Sequence, residues 1–347
     1  MSYKNILVTG GAGFVGSNIA IKFKEHFPNI IVTAFDNLSR VGSELTLPRL
    51  LEHGVTFRHG DVRKREDLTG TFDCIIECSA EPSVMAGVTT SPQYLIQTNL
   101  VGAMNCFELA REQHADVVFL STSRVYPVSP LNDLRFHETE TRFELDQMKN
   151  GISTDFPLNG LRSLYGATKL AAELLIMEYA ANYHLHAVID RFGVIAGPWQ
   201  MGKVDQGILA LWVAHHVFKK PLSYIGFGGV GKQVRDILHI DDVFELLMLQ
   251  LNDIKKNSNK VFNAGGGRDN SISLAELTKL CEIVTKNKIT IHSEPETREG
   301  DVRIYITDNT EIMKQTGWKP KKSIDQIVTD TYKWIVANKN SLQNVFT

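Results

Sequence analysis

Residues 6–20 read "ILVTGGAGFVGSNIA": a short apolar run, a cluster of glycines, then an amphipathic stretch. Gly10, Gly13 and Gly16 stand three apart. A strand that ends in such a turn and opens a helix is suited to a pyrophosphate. The first two glycines permit the tight turn and close approach of the anion. The third lets the helix pack on the strand, and the helix head at Phe14 and Val15 faces the negative charge. A tight structural turn would use glycines too, so the next strand must decide. It ends at Asp36, 20 residues beyond Gly16. A carboxylate there accepts hydrogen bonds from a ribose 2′-hydroxyl and repels a 2′-phosphate, which favours NAD over NADP. Asn37 and Ser39 continue that loop. Arg40 is the residue that argues the other way, because an arginine accommodates the phosphate. Asp61 and Val62, after the third strand, are candidates to flank an adenine.

Working outward, "NILVTG" (5–10), "IIVTAFD" (30–36), "VTFRHGD" (55–61), "DCIIECSA" (73–80) and "DVVFLSTS" (116–123) each read as a buried strand. They are short, rich in β-branched residues and continuously apolar, as parallel strands covered on both faces are. "VGSNIAIKFKEHF" and "YLIQTNLVGAMNCFELAREQ" supply helices between them. The alternation predicts an α/β fold with a doubly wound parallel sheet, a Rossmann arrangement. "HAVIDRFGVIAG" (186–197) and "KVFNAGGG" (260–267) add late strands. Two Gly- and Pro-containing stretches, about 197–231 and the tail from about 271, predict a smaller interleaved lobe. The expected partition is 1–192 with 233–267 for the dinucleotide domain, and 193–232 with 268–347 for a substrate lobe.

The chain has 347 residues, 43% of them hydrophobic, and a formal net charge of −2. That length suits two lobes. Near-neutral charge argues against nucleic acid or an anionic membrane as the partner. The N-terminus lacks a signal-peptide pattern and no apolar run is long enough to span a bilayer. Four cysteines at unrelated spacings predict neither a zinc site nor a disulfide framework, and no metal is expected. A reducing cytoplasmic compartment fits.

"RSLYGATKLAAELL" (162–175) puts Tyr165 and Lys169 one helical turn apart on one face. A phenol titrates near 10, and a neighbouring ammonium favours its ionised form. "VVFLSTSRVYP" (117–127) places Ser121, Thr122 and Ser123 at a strand end, where a hydroxyl can orient a sugar oxygen while the tyrosine moves its proton. With these motifs in order, the chain resembles the extended short-chain dehydrogenase/reductase family, the nucleotide-sugar epimerases and dehydratases, over nearly its whole length. The resemblance implies a Thr122, Tyr165, Lys169 triad, a firmly held NAD, and a dimer through helices near 95–113 and 163–183. Ser79, Ala80 and Glu81 follow the fourth strand, near where nicotinamide and substrate should meet, and are cofactor candidates with Asn99, Tyr165 and Lys169; Glu81 reads equally as a sugar contact or as part of a strand-end loop.

Family members that remove water carry an Asp-Glu pair after the threonine; here Ser123 and Arg124 follow Thr122. UDP-galactose 4-epimerases carry an asparagine where "RFGV" (191–194) has Val194. "FDNLSR", "HETETR", "SLYGATKLAAE", "DQG" and "GKQVRDILH" are similar to the CDP-paratose 2-epimerase (CDP-tyvelose epimerase) group. That resemblance implies inversion at carbon 2 of a CDP-deoxyhexose in polysaccharide biosynthesis. A UDP-sugar 4-epimerase, another nucleotide-sugar oxidoreductase and a non-catalytic NAD-binding protein stay as alternatives. A diphosphate needs basic groups, and Arg235 and Arg298 match the family's arginines. Ser123, Arg124, Gln206 and Gln233 are further substrate candidates, with Arg303, Trp199, Gln200, Lys203 and Asp205 behind them. Trp199 reads equally as packing, and His239 as a structural cap.

Overall fold

A computed structural model of the chain describes residues 3–88, 90–202 and 206–346. Lys203 and Asp205 lie outside the described residues. The opening stretch forms β1 (Asn5–Thr9), a glycine turn and α1 (Phe14–His26). The other strands of its sheet are β2 (Ile31–Asp36), β3 (Thr56–His59), β4 (Cys74–Glu77), β5 (Asp116–Thr122), β6 (Ala187–Phe192) and β7 (Lys260–Ala264). Their order across the seven-stranded parallel sheet is β7-β6-β5-β4-β1-β2-β3. The chain begins centrally, winds outward through β2 and β3, then crosses to β4 and winds the other way. The reversal lies between β1 and β4, so ligands are received at the carboxyl ends of those strands. Register aligns Thr9 with Glu77 and Glu77 with Phe119.

All four residues of β4 are buried, as are Ile6 to Thr9 of β1. Leu7, Phe35, Ile75, Phe107, Phe119, Ile176 and Ile189 share one apolar cluster under the flanking helices. β3 departs from the expected buried strand: Thr56 and His59 are exposed. The reason is its place at the sheet edge, where it pairs with β2 alone.

Two further helical segments carry candidate residues. The apolar run from Gln93 contains a π turn at Gln97–Val101 before α2 (Gly102–Gln113). The wider turn lodges Thr98 and Asn99 in buried positions, a usage common near functional sites. α3 (Leu164–Tyr183) starts where the Ser163 hydroxyl accepts the Gly166 N–H at 3.2 Å, satisfying a donor the first turn would leave open.

The chain divides into two compact units, Met1–Val125 with Ser163–Arg191 and Phe244–Phe262, and Tyr126–Arg162 with Phe192–Val243 and Asn263–Thr347. The expected partition placed 126–162, 192, 233–243 and 263–267 in the first group; the structure groups them in the second. Strand pairing is the reason. Val234–His239 pairs with Ser271–Ser273, Ile304–Tyr305 and Val194–Ala196, and Phe136–Glu138 pairs with Phe143–Leu145. Among the described residues, no helix is long and apolar enough to cross a membrane.

Candidate active site

The glycine turn is built by exclusion. Gly10 has φ +62°, and a Cβ there would stand 3.0 Å from the Cys78 carbonyl oxygen at the end of β4. A Cβ on Gly16 would stand 2.2 Å from the Gly10 oxygen, closer than any contact allows. Gly13 donates its N–H to that oxygen at 2.9 Å and heads α1 in extended conformation without a side-chain cap. The first N–H groups of α1, at Phe14 and Val15, stand at a helix head without a side-chain cap, a setting suited to an anion. Asp36 closes the turn: Oδ2 accepts the Ala12 N–H at 3.1 Å and Oδ1 the Leu38 N–H at 2.8 Å. Burial raises its pKa, and these donors pull it back. A cradle cleared of Cβ atoms with a carboxylate beside it fits a dinucleotide.

The next strand end is neutralised locally. Arg63 holds the Asp61 carboxyl down to about 2 through charge-assisted hydrogen bonds, and Asn37 donates to it at 3.2 Å. Arg63 lies 4.8 Å from the Tyr94 ring, whose hydroxyl meets Ser39 Oγ at 3.1 Å. Val62 is buried where a Cβ on Gly102 would strike it, and the Arg40 carbonyl accepts the Ser43 N–H at 3.0 Å. This wall is preassembled around Asp61, which spends its charge on Arg63.

After β4, Ser79 is buried and Ala80 and Glu81 are half-buried. Asn99 accepts the Glu81 N–H at 2.8 Å, and its amide donates to the Glu81 carbonyl at 3.1 Å and Thr168 Oγ1 at 3.3 Å. Asn99 is thus a cross-link in this structure. It ties the β4 loop to α3 between Tyr165 and Lys169.

Tyr165 and Thr122 meet by a side-chain hydrogen bond, and Thr122 Oγ1 accepts the Arg124 N–H at 3.2 Å. Burial pushes the phenol up. Thr122 and Arg124 lower it, and Glu77 and Glu81 raise it further. Lys169 follows one turn further along α3. Its ammonium is 3.5 Å from Glu77 Oε2 and 3.9 Å from the Phe119 ring centroid, with the side chain buried. The lysine runs inward over β4 and β5, which its spacing from Tyr165 alone does not reveal.

Two acids of this site escaped sequence reasoning. Glu77 occupies an apolar run and gave no signal except its charge. Glu173 sits four residues after Lys169 and receives Arg191 at 2.7–3.1 Å and the Ser121 hydroxyl, all buried. That helical spacing was the available clue.

The second unit carries the remaining candidates. Arg298 is partly exposed and, among the described residues, its side chain makes no hydrogen bond or ion pair. Arg235 donates to the carbonyls of Val234 and Val302, and Gln233 donates to Ile225 at 3.0 Å. Gln206 is half-buried at the start of a described segment. Arg303 donates to the Asn132 carbonyl at 3.0 Å and lies 4.2 Å and 5.2 Å from the rings of Phe136 and Phe227, a packing role. Trp199 packs on Trp334 at 5.8 Å, and Gln200 donates to the Ile195 carbonyl at 2.9 Å. His239 Nδ1 accepts the Asp241 N–H at 3.0 Å, the capping role read from its position. Ser123 and Arg124, half-buried, belong to the first unit and stand directly after Thr122.

A dinucleotide turn, a Thr–Tyr pair and a buried lysine at the carboxyl ends of one parallel sheet define a nicotinamide-dependent enzyme. Residues 6–265 match the NAD dependent epimerase/dehydratase family. The chain belongs to that family, and its cofactor is NAD. It is 33% identical to the CDP-paratose 2-epimerase of Salmonella typhi, over 95% of this chain and 98% of that protein. It is 25% identical to a dTDP-glucose 4,6-dehydratase of Salmonella typhimurium, over 98% and 95%. A UDP-glucose 4-epimerase from Thermotoga maritima, solved with UDP-glucose, is 26% identical with a TM-score of 0.78, covering 96% of this chain and 99% of that one.

Proposed function

We propose that this enzyme epimerises a nucleotide sugar at carbon 2, with a CDP-deoxyhexose as substrate. The observation that carries the reading is the Thr122–Tyr165 pair followed by Ser123 and Arg124 instead of two acids. Tyr165 is the group that takes the sugar hydroxyl proton and returns it. Thr122 orients the same oxygen, and Arg124 lowers the cost of the phenolate. Without an acid pair after Thr122, the site has no second proton donor there to drive off water. NAD held there would supply the acceptor and donor of the hydride. The glycine turn and Asp36 hold the dinucleotide, with Asn37, Ser39, Arg40, Asp61 and Val62 along its adenosine side. The relative that inverts CDP-paratose favours CDP over the UDP-sugar 4-epimerase reading, which Val194 also disfavours.

Arg298 and Arg235 are assigned to the diphosphate. Replacing Arg298 with Ala is expected to raise KM for the nucleotide sugar about tenfold or more, the worth of a charge-assisted hydrogen bond. NAD affinity, followed by calorimetry, stays unchanged; equal losses for both ligands would point to general damage. Exposed Met104 on α2 and Leu164, Leu174 and Met177 on α3 support the dimer assigned to these helices. Buried free thiols at Cys74, Cys106 and Cys281 agree with a reducing cytoplasm.

The test is a panel of CDP-, UDP-, GDP- and TDP-sugars incubated with the protein and followed by NMR. Inversion at carbon 2 of a CDP-sugar, with no lasting NADH, is expected. Inversion at carbon 4, or loss of water, would replace this reading.

A further inference from the structure

Glu77 is the most deeply buried carboxylate of the site, fully enclosed at the end of β4. Its two oxygens have different surroundings. Oε1 accepts the Ser79 N–H at 3.0 Å, the Ser79 hydroxyl, and the Thr9 hydroxyl at 3.4 Å. Oε2 accepts no hydrogen bond among the described residues and faces Lys169 Nζ at 3.5 Å. Three donors on one oxygen fix the carboxylate's orientation, so the bare oxygen is aimed at the lysine. The lysine in turn has the Phe119 ring on its other side at 3.9 Å. A buried charge kept without a partner is costly, which makes each of the two the reason the other is tolerated.

We infer that Glu77 is a positioning residue that holds the Lys169 ammonium against the sheet, offsets its charge, and so sets the pH range in which the Tyr165–Lys169 couple works. The inference rests on the proposed epimerase reading for its activity arm. An ammonium alone beside the phenol would favour the phenolate. With Glu77 offsetting it, the phenol's nearest lowering influences are Thr122 and Arg124. The other groups facing this cluster are Glu81 on the β4 loop and the thiols of Cys78 and Cys106, which burial pushes up. Thr98 and Asn99, on the π turn against α3, carry no charge.

Removing the Glu77 charge makes the site more positive, so Tyr165 gives up its proton at lower pH. In Glu77→Gln the amide oxygen still accepts from Ser79 and Thr9, and the rising limb of the kcat profile is expected to move about one pH unit toward acid. In Glu77→Asp, which keeps the charge, the limb stays near its original pH while the rate falls. A Gln variant with an unmoved profile, or an Asp variant that shifts as far, would overturn the inference.

Thermal melts of Glu77→Gln, Lys169→Met and the double variant form the second arm. They use the full chain loaded with NAD and need no turnover. The double variant is expected to melt above the sum of the two single losses, because it leaves no lone buried charge. Additive losses would show that the two groups do not sense each other. If the chain acted on no nucleotide sugar the functional reading would fail, while this cycle would still decide the pairing.

Discussion

Tyr165→Phe is expected to lower kcat roughly 10²–10⁴-fold, the usual share of one placed acid–base group. The ring remains, so the buried packing around position 165 remains with it. What is lost is the hydroxyl that meets Thr122. Thr122 Oγ1 keeps the Arg124 N–H at 3.2 Å, so the neighbouring strand end retains one of its contacts. The cost in stability is therefore about 1 kcal/mol or less, the net worth of a neutral hydrogen bond. Under the proposed assignment of the glycine turn and Asp36 to NAD and of Arg235 and Arg298 to the diphosphate, KM and NAD affinity are expected to stay within a few-fold. A fall in kcat with KM held is the signature of an interaction made at the reacting step. NMR initial rates with calorimetric binding of NAD and nucleotide measure both sides. A Phe variant with full turnover would remove Tyr165 from the reaction.

The parts of this site that were legible in the sequence are those where backbone demands leave a residue type behind. Gly16 must lack a Cβ because a carbonyl oxygen occupies that space. Asp36 is short enough to take the Ala12 N–H on a side-chain oxygen from a strand end. Thr122 at a strand end and Tyr165 at a helix head were read as partners from residue type and motif, and their side chains meet. What stayed hidden depends on residues distant in the chain. The pairing of Lys169 with Glu77 exists only once β4 and α3 come together, and no spacing along the chain states it. Arg298 and Arg303 look alike as candidate phosphate ligands. The aromatic side chains of Phe136 and Phe227, brought in by separate segments, distinguish the packing arginine from the available one. Val234–His239 fell within the expected dinucleotide domain, but the sheet it joins is decided by partners at 194–196, 271–273 and 304–305.

The second large effect concerns what holds the catalytic helix in place. Glu173 lies four residues beyond Lys169, on the face of α3 turned to the sheet. Arg191 on β6 reaches it through Nε at 3.1 Å and Nη2 at 2.7 Å, and Ser121 on β5 donates to it from the position just before Thr122. Glu173 therefore joins the helix bearing Tyr165 and Lys169 to the strand bearing Thr122. Both charges are buried, so Glu173→Ala takes the carboxylate from a buried guanidinium and is expected to cost about 3–5 kcal/mol in denaturant unfolding. Glu173→Leu with Arg191→Met removes both charges and is expected to recover most of that loss, since such pairs contribute little net stability over apolar replacements. Activity distinguishes holding from mere filling. In the recovered double variant kcat is expected to stay about tenfold down with KM unchanged, because small misplacements at a reacting centre are expensive. Full kcat in that variant would show that apolar packing alone aligns α3 with β5. A loss under about 1 kcal/mol in Glu173→Ala would show that the pair bears no weight in the fold.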